Sequence, residues 1–154
     1  MTGHSKTYKG KYRVINIQKY RGDPTNVFFR SSLELRFMKF LDTHPDIIRW
    51  SSEEVIIPYN SPLDGRRRRY FPDFWMEKIG LDGVIEQVLV EIKPLAQTQE
   101  PKVRQRMTRQ YLNEVATWGV NSAKWEAARK YCDKRNMKFI IITEKDLNGY
   151  AYYK

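Results

Sequence analysis

A single cysteine, Cys132, in 154 residues excludes an internal disulfide and any cysteine-rich zinc site. Two histidines, His4 and His44, form no metal-ligand pair and no nucleophile triad. There is no Gly-rich phosphate loop, so no nucleotide cofactor is expected. No apolar run approaches the roughly 18 residues that span a bilayer, so no membrane partner is expected. The opening "MTGHSKTYKGKY" is polar and lacks the apolar middle of a secretion signal. With one thiol, the expected setting is a reducing cytoplasm. No internal repeat is visible.

What is plentiful is positive charge, +10 net, and aromatic side chains, 14% of residues. A hydrophobic share of 41% rules out a compositionally disordered chain, and the length suits one domain with one core. Each Lys or Arg that meets a phosphate releases condensed counterions, so the charge points to a nucleic-acid partner.

Residues 1–28 are basic, contain tyrosines and show no usable apolar period. They are expected to form an arm, ordered where it docks, ahead of a domain at 29–154. Deleting the arm is expected to weaken DNA binding and spare the catalytic groups. Ser31 and Glu34 fit a capping box, and Leu33, Phe37, Phe40 and Leu41 recur at helical spacing, which predicts a helix over 31–43. Pro45 stops it. "EEVIIPY", 53–59, reads as a strand, "NSPLDG" as a turn, and 66–77 as the returning strand of a hairpin. Pro72 marks an edge or bulge in that strand. A third strand covers 86–94. Residues 95–107 read as a loop, 108–118 and 121–135 as two helices, with Asn121 or Ser122 capping the second. The β-branched run 137–144 reads as a strand buried on both faces. Antiparallel strands followed by a helical crossover predict a mixed sheet covered by helices.

Two strands carry charge where apolar residues are expected. "YFPDFW" sets Asp73 in an aromatic run, and "LVEIKP" sets Glu91 and Lys93 among aliphatics. Side chains alternate along a strand, so Leu89, Glu91 and Lys93 share one face, while Val88, Val90 and Ile92 line the other. Asp73 lies on the neighbouring strand and can sit beside Glu91. Two adjacent carboxylates repel, and burial raises the cost of their charge. A divalent cation relieves both, and magnesium takes one or two carboxylates with waters and phosphate. Lys93 beside such a site suits metal-assisted phosphodiester hydrolysis. The competing reading is an ordinary ion pair on a solvated strand face. Glu34 lies on the buried side of its helix, with Phe37, Met38 and Leu41; its other role is the capping-box acid.

These residues resemble a known signature. Pro72 and Asp73, followed by Glu91 and Lys93, match the motif of the PD-(D/E)XK, restriction-endonuclease-like nucleases. The wider pattern, "FRSSLELRFMKFLD", the stretch from "WSSEEVIIPY" to "FPDF", "EIKP", "NSAKWEAARKYC" and "FIIITE", resembles the head completion nucleases of T-even-type tailed phages. It is also similar to the catalytic domain of TnsA-type endonucleases. The resemblance covers about residues 29–146 and implies an αβββαβ core. It implies that Asp73 and Glu91 bind Mg2+, for which Mn2+ substitutes, with the Ile92 carbonyl as a further ligand. It implies that Lys93 is catalytic and that Glu34 is the acid on the first helix. It further implies double-stranded DNA as substrate, phage head, portal or neck proteins as partners, and action in the host cytoplasm and then in the virion.

Arg66, Arg67, Arg68 and Arg69 would alternate faces on their strand, so at most two share a side with Asp73; the choice is phosphate contact or solvated strand entry. Lys124 follows on a helix, as a phosphate contact, a support for the site or a solvent-facing lysine. Trp50, Trp75, Trp118 and Trp125 read as core. The alternative to a nuclease is a catalytically silent connector or DNA-binding protein of the phage head, and the intact acid, acid and lysine set favours the nuclease.

Overall fold

Ser31 sets the start of the first helix. Its hydroxyl accepts from the Glu34 N–H at 3.1 Å, and α1 runs Ser32–Thr43. The other half of the capping box is displaced by one residue: the Arg30 N–H, not that of Ser31, donates to Glu34 Oε2, at 2.8 Å. Ahead of Pro45, His44 is extended and ends the helix. This is a computed structural model, and it describes residues 8–149.

Two short strands precede α1: β1 (Gly10–Lys11) and β2 (Phe28–Phe29), paired antiparallel. After α1 come β3 (Ile47–Ser52), β4 (Ile57–Asn60), β5 (Arg67–Tyr70), β6 (Phe74–Ile79) and β7 (Ile85–Ile92). A long helix, α2 (Arg109–Asp133), leads to β8 (Lys138–Ile142) and a short α3 (Glu144–Gly149). The main sheet has the order β3-β6-β7-β8. Its first three strands run antiparallel, and β8 lies parallel to β7. A parallel neighbour needs a long crossover, and α2 supplies it.

The alternation along β7 builds two cores. Val88, Val90 and Ile92 pack with Trp50, Phe74 and Met76 under Phe37, Met38, Phe40 and Leu41 of α1. Leu89, on the opposite face, packs with Trp75 and with Trp125, Ala128 and Cys132 of α2. Each fully buried side chain of this size contributes about 1.5–3 kcal/mol. The result is a mixed sheet flanked by helices, the restriction-endonuclease-like class that the motif implied.

The structure corrects several boundaries. The expected strand over 53–59 starts only at Ile57, and β3 lies upstream in a segment for which no element was expected. Glu53, at φ 55, turns the chain between the two. The expected strand over 66–77 breaks at Phe71–Asp73, where Pro72 has no N–H to give a ladder. One hairpin therefore bends into two pairings. Its base, β3 with β6, belongs to the main sheet; its tip, β4 with β5, is a separate ribbon. At the bend the Glu53 N–H donates to the Asp73 carbonyl at 3.1 Å. The two helices expected over 108–135 are one, capped by Thr108, whose hydroxyl accepts from the Tyr111 N–H at 3.1 Å. Gly119 costs this helix about 1 kcal/mol relative to alanine, too little to break it. Asn121 and Ser122, expected as a cap, lie inside it.

The expected arm is also revised. Tyr12, Val14, Tyr20, Val27 and Phe29 are buried in the core on the α1 side. The Tyr20 ring meets Trp50 edge-on, 4.8 Å between centroids. Asp42, fully buried on α1, clasps the segment: its carboxylate accepts from Tyr12 Oη at 2.7 Å, the Ile15 N–H at 2.7 Å and the Asn16 N–H at 2.9 Å. Burial, then this carboxylate, pushes the Tyr12 hydroxyl far above its ordinary range. A deletion of 1–28 would strip four core side chains, so it would not leave an intact domain. Residues 1–7 of that stretch lie outside the described residues.

The clasp gives a first prediction. Asp42→Ala leaves two backbone donors and a phenol without their acceptor and should destabilise the protein by about 3 kcal/mol in urea denaturation. A loss below about 0.5 kcal/mol would mean that the segment is held by its apolar contacts alone.

Candidate active site

The first residues before β6 and the last residues of β7 meet at one end of the main sheet. The register pairs Phe74 with Val90. One step further sets Asp73 across from Glu91. Asp73 Oδ2 accepts from the Ile92 N–H at 2.7 Å, which fixes the carboxylate against the end of β7. Glu91 is 6% exposed. Its Oε2 accepts from the Tyr70 hydroxyl, and Lys93 Nζ stands 3.6 Å from its Oε1. Lys93 remains in the sheet, its N–H donating to the Ile142 carbonyl at 3.0 Å.

The electrostatics follow from this crowding. Asp73 is held well above the usual carboxylate range, first by burial and then by the charge of Glu91; Glu34 adds to this, while the Ile92 N–H and Lys93 oppose it. Burial also raises Glu91, against the Tyr70 hydrogen bond and the charges of Lys93 and Lys124. Glu34 is raised by burial, with the Arg30 N–H and Lys93 pulling the other way. The four predicted groups Glu34, Asp73, Glu91 and Lys93 therefore act on one another as one electrostatic cluster.

Among the described residues, no three His, Cys, Asp or Glu side chains form a metal-ready group. The donor set at Asp73 and Glu91 is smaller: two carboxylates next to the backbone of Ile92. That set fits magnesium, which keeps several of its waters and takes few protein ligands. It does not fit zinc, which wants four nitrogen or sulfur donors in a structural site.

Arg66, Arg67, Arg68 and Arg69 are all exposed on the β4–β5 ribbon. Arg68 pairs with Asp64, and Arg69 lies 5.8 Å over the Phe71 ring. Lys124 is half-buried rather than solvent-facing, its Nζ 5.8 Å from the Tyr59 ring centroid and 5.6 Å from that of Tyr70. Two neighbours of the site were not singled out from sequence. Tyr70 opens the aromatic run "YFPDFW", where nothing in the residue types distinguishes its hydroxyl. Glu53 pairs with Arg30 at 2.6 Å and acts on Glu34; its left-handed backbone is not visible in the residue type.

With this geometry in view, the likeness to known proteins has a structural meaning. The sequence model of the TnsA-like endonuclease N-terminal domain matches residues 44–144, a span that holds Asp73, Glu91, Lys93 and Lys124. The chain belongs to this TnsA-like endonuclease family. It is similar to the head completion nuclease of Enterobacteria phage T4, at 41% identity over 149 residues, covering 94% of this chain and 97% of that protein.

The raised carboxylates predict a pH dependence. An acid held above its ordinary value binds its proton more tightly in the folded chain than in the unfolded one. For Asp73 the associated stability is complete below the ordinary value of 3.8 and is lost as pH rises through the raised value. Asp73→Asn keeps an acceptor for the Ile92 N–H and removes the charge. In EDTA it should melt with the wild type at strongly acidic pH and several degrees above it at mildly alkaline pH. Parallel melting curves across that range would contradict the assigned repulsion.

Proposed function

We propose that this chain is a magnesium-dependent DNA endonuclease that hydrolyses phosphodiester bonds in double-stranded DNA, with manganese able to substitute. The observation that carries the reading is the meeting of Asp73, Glu91 and Lys93 at the shared end of β6 and β7. Asp73 and Glu91 would hold the cation, with the Ile92 carbonyl as a further ligand. A bound divalent cation neutralises phosphate charge and acidifies a coordinated water. Lys93, half-buried beside Glu91, orients the attacking water or neutralises charge that develops on the phosphate. Glu34 adds an acid from α1, placed to act on Lys93 and Asp73. The exposed Arg66–Arg69 ribbon and the net charge of +10 supply phosphate contacts that carry no sequence preference.

The setting follows from the relative named for head completion. The chain would act on DNA at that late step of phage assembly, in the host cytoplasm and then in the virion, next to head, portal or neck proteins.

Substitution separates this reading from a silent connector. Asp73→Ala and Glu91→Ala should abolish magnesium-dependent cleavage while the proteins remain folded. Lys93→Ala should lower kcat by roughly 10²- to 10³-fold, with DNA affinity measured in calcium nearly unchanged. Equal losses in cutting and binding would make Lys93 an ordinary phosphate contact. Wild-type rates in Asp73→Ala or Glu91→Ala would remove them from the site.

A further inference from the structure

The β4–β5 ribbon does more than carry arginines. Its inner face presents Tyr59 and Tyr70, which are 7% and 4% exposed and pack in the core on the α2 side. Tyr70 is the last residue of β5, three before Asp73. Its hydroxyl donates to Glu91 Oε2. Lys93 Nζ stands at the other oxygen, 3.6 Å away. Both carboxylate oxygens of Glu91 therefore have a neighbour of fixed origin, one from β5 and one from the end of β7. The Tyr70 ring is in turn held from α2, where Lys124 Nζ sits 5.6 Å from its centroid and 5.8 Å from that of Tyr59. A cation over an aromatic face adds about 0.5–2 kcal/mol, enough to favour one ring position.

We propose that Tyr70 is a positioning residue: its hydroxyl holds Glu91 in the orientation that receives the divalent cation beside Asp73, and Lys124 fixes the Tyr70 ring. The bend in the hairpin then has a purpose. The stretch from Tyr70 to Asp73 delivers one carboxylate and, three residues earlier, the group that aims the other. Groups that orient metal-binding side chains typically change metal affinity by 10- to 100-fold.

The proposal rests on the reading that Glu91 holds the cation, and the test keeps the two apart. Metal-free wild type, Glu91→Gln, Tyr70→Phe, Lys124→Ala and Lys124→Arg are titrated with Mn2+ by calorimetry at one fixed pH. The wild type should bind and Glu91→Gln should not. Tyr70→Phe, which loses only the hydroxyl, should bind Mn2+ roughly ten- to a hundred-fold more weakly. Its kcat should fall by a similar factor while KM for DNA stays put. Lys124→Ala should weaken Mn2+ binding several-fold, and Lys124→Arg should restore it; this arm stands even if Tyr70→Phe does not fold. Wild-type Mn2+ affinity in Tyr70→Phe, with lower thermal stability, would reduce Tyr70 to a packing group and overturn the proposal. Unchanged affinity in Lys124→Ala would remove Lys124 from it. No Mn2+ binding by the wild type, or undiminished binding by Glu91→Gln, would overturn the cation reading and this proposal with it.

Discussion

Two carboxylates that the fold forces together, Asp73 and Glu91, set the terms for the rest of the structure. Neither has its ordinary hydration, and the charge of Glu91 raises the cost of charge on Asp73. Sheet pairing makes the contact unavoidable, because β6 and β7 are joined by a short turn and their register brings the two acids face to face. A chain selected for stability alone would place apolar residues there, since removal of repelling buried charge is commonly neutral or favourable. The acids are sustained by what surrounds them: the Ile92 N–H on one, the Tyr70 hydroxyl on the other, and Lys93 and Lys124 as neighbouring positive charges.

The hairpin bend links this electrostatic arrangement to the architecture. A straight hairpin would run β3–β4 and β5–β6 through one sheet and keep Asp73 inside a ladder. Glu53 in a left-handed conformation and Pro72 without an N–H break both strands at the same level. The break frees Asp73 from the ladder and swings Tyr59 and Tyr70 toward α2. It also leaves the arginines of β5 exposed on a ribbon beside the site. The N-terminal segment acts from the other side. Clasped by Asp42 and packed edge-on against Trp50, it completes the core under α1, and Arg30 at its end reaches both Glu34 and Glu53.

Much of this was legible in the sequence. The alternation of β7 gave both of its faces, and charged residues in otherwise apolar strands marked the cluster of Asp73, Glu91 and Lys93 that the sheet brings together. Ser31 and Pro45 bounded α1 through local backbone chemistry. The failures have physical causes. β3 was missed because "IIRWSS" follows a helix stop and alternates poorly, with Trp50 and Ser51 both buried. The split in α2 was expected with Asn121 or Ser122 as the cap of a second helix, and tertiary packing over 25 residues carries one helix through both. The N-terminal segment has no regular period because it docks through scattered side chains and a buried carboxylate thirty residues away in sequence from Tyr12. Tyr70 and Glu53 owe their places to the bend, which is a property of two strands together.

The most direct measurement is incubation of the purified protein with supercoiled plasmid in magnesium, manganese or EDTA. The account predicts nicked and linear DNA with either cation and intact plasmid in EDTA. Cleavage that persists in EDTA would contradict the cation at Asp73 and Glu91. Intact plasmid under every condition, from folded protein that binds DNA, would contradict the nuclease reading.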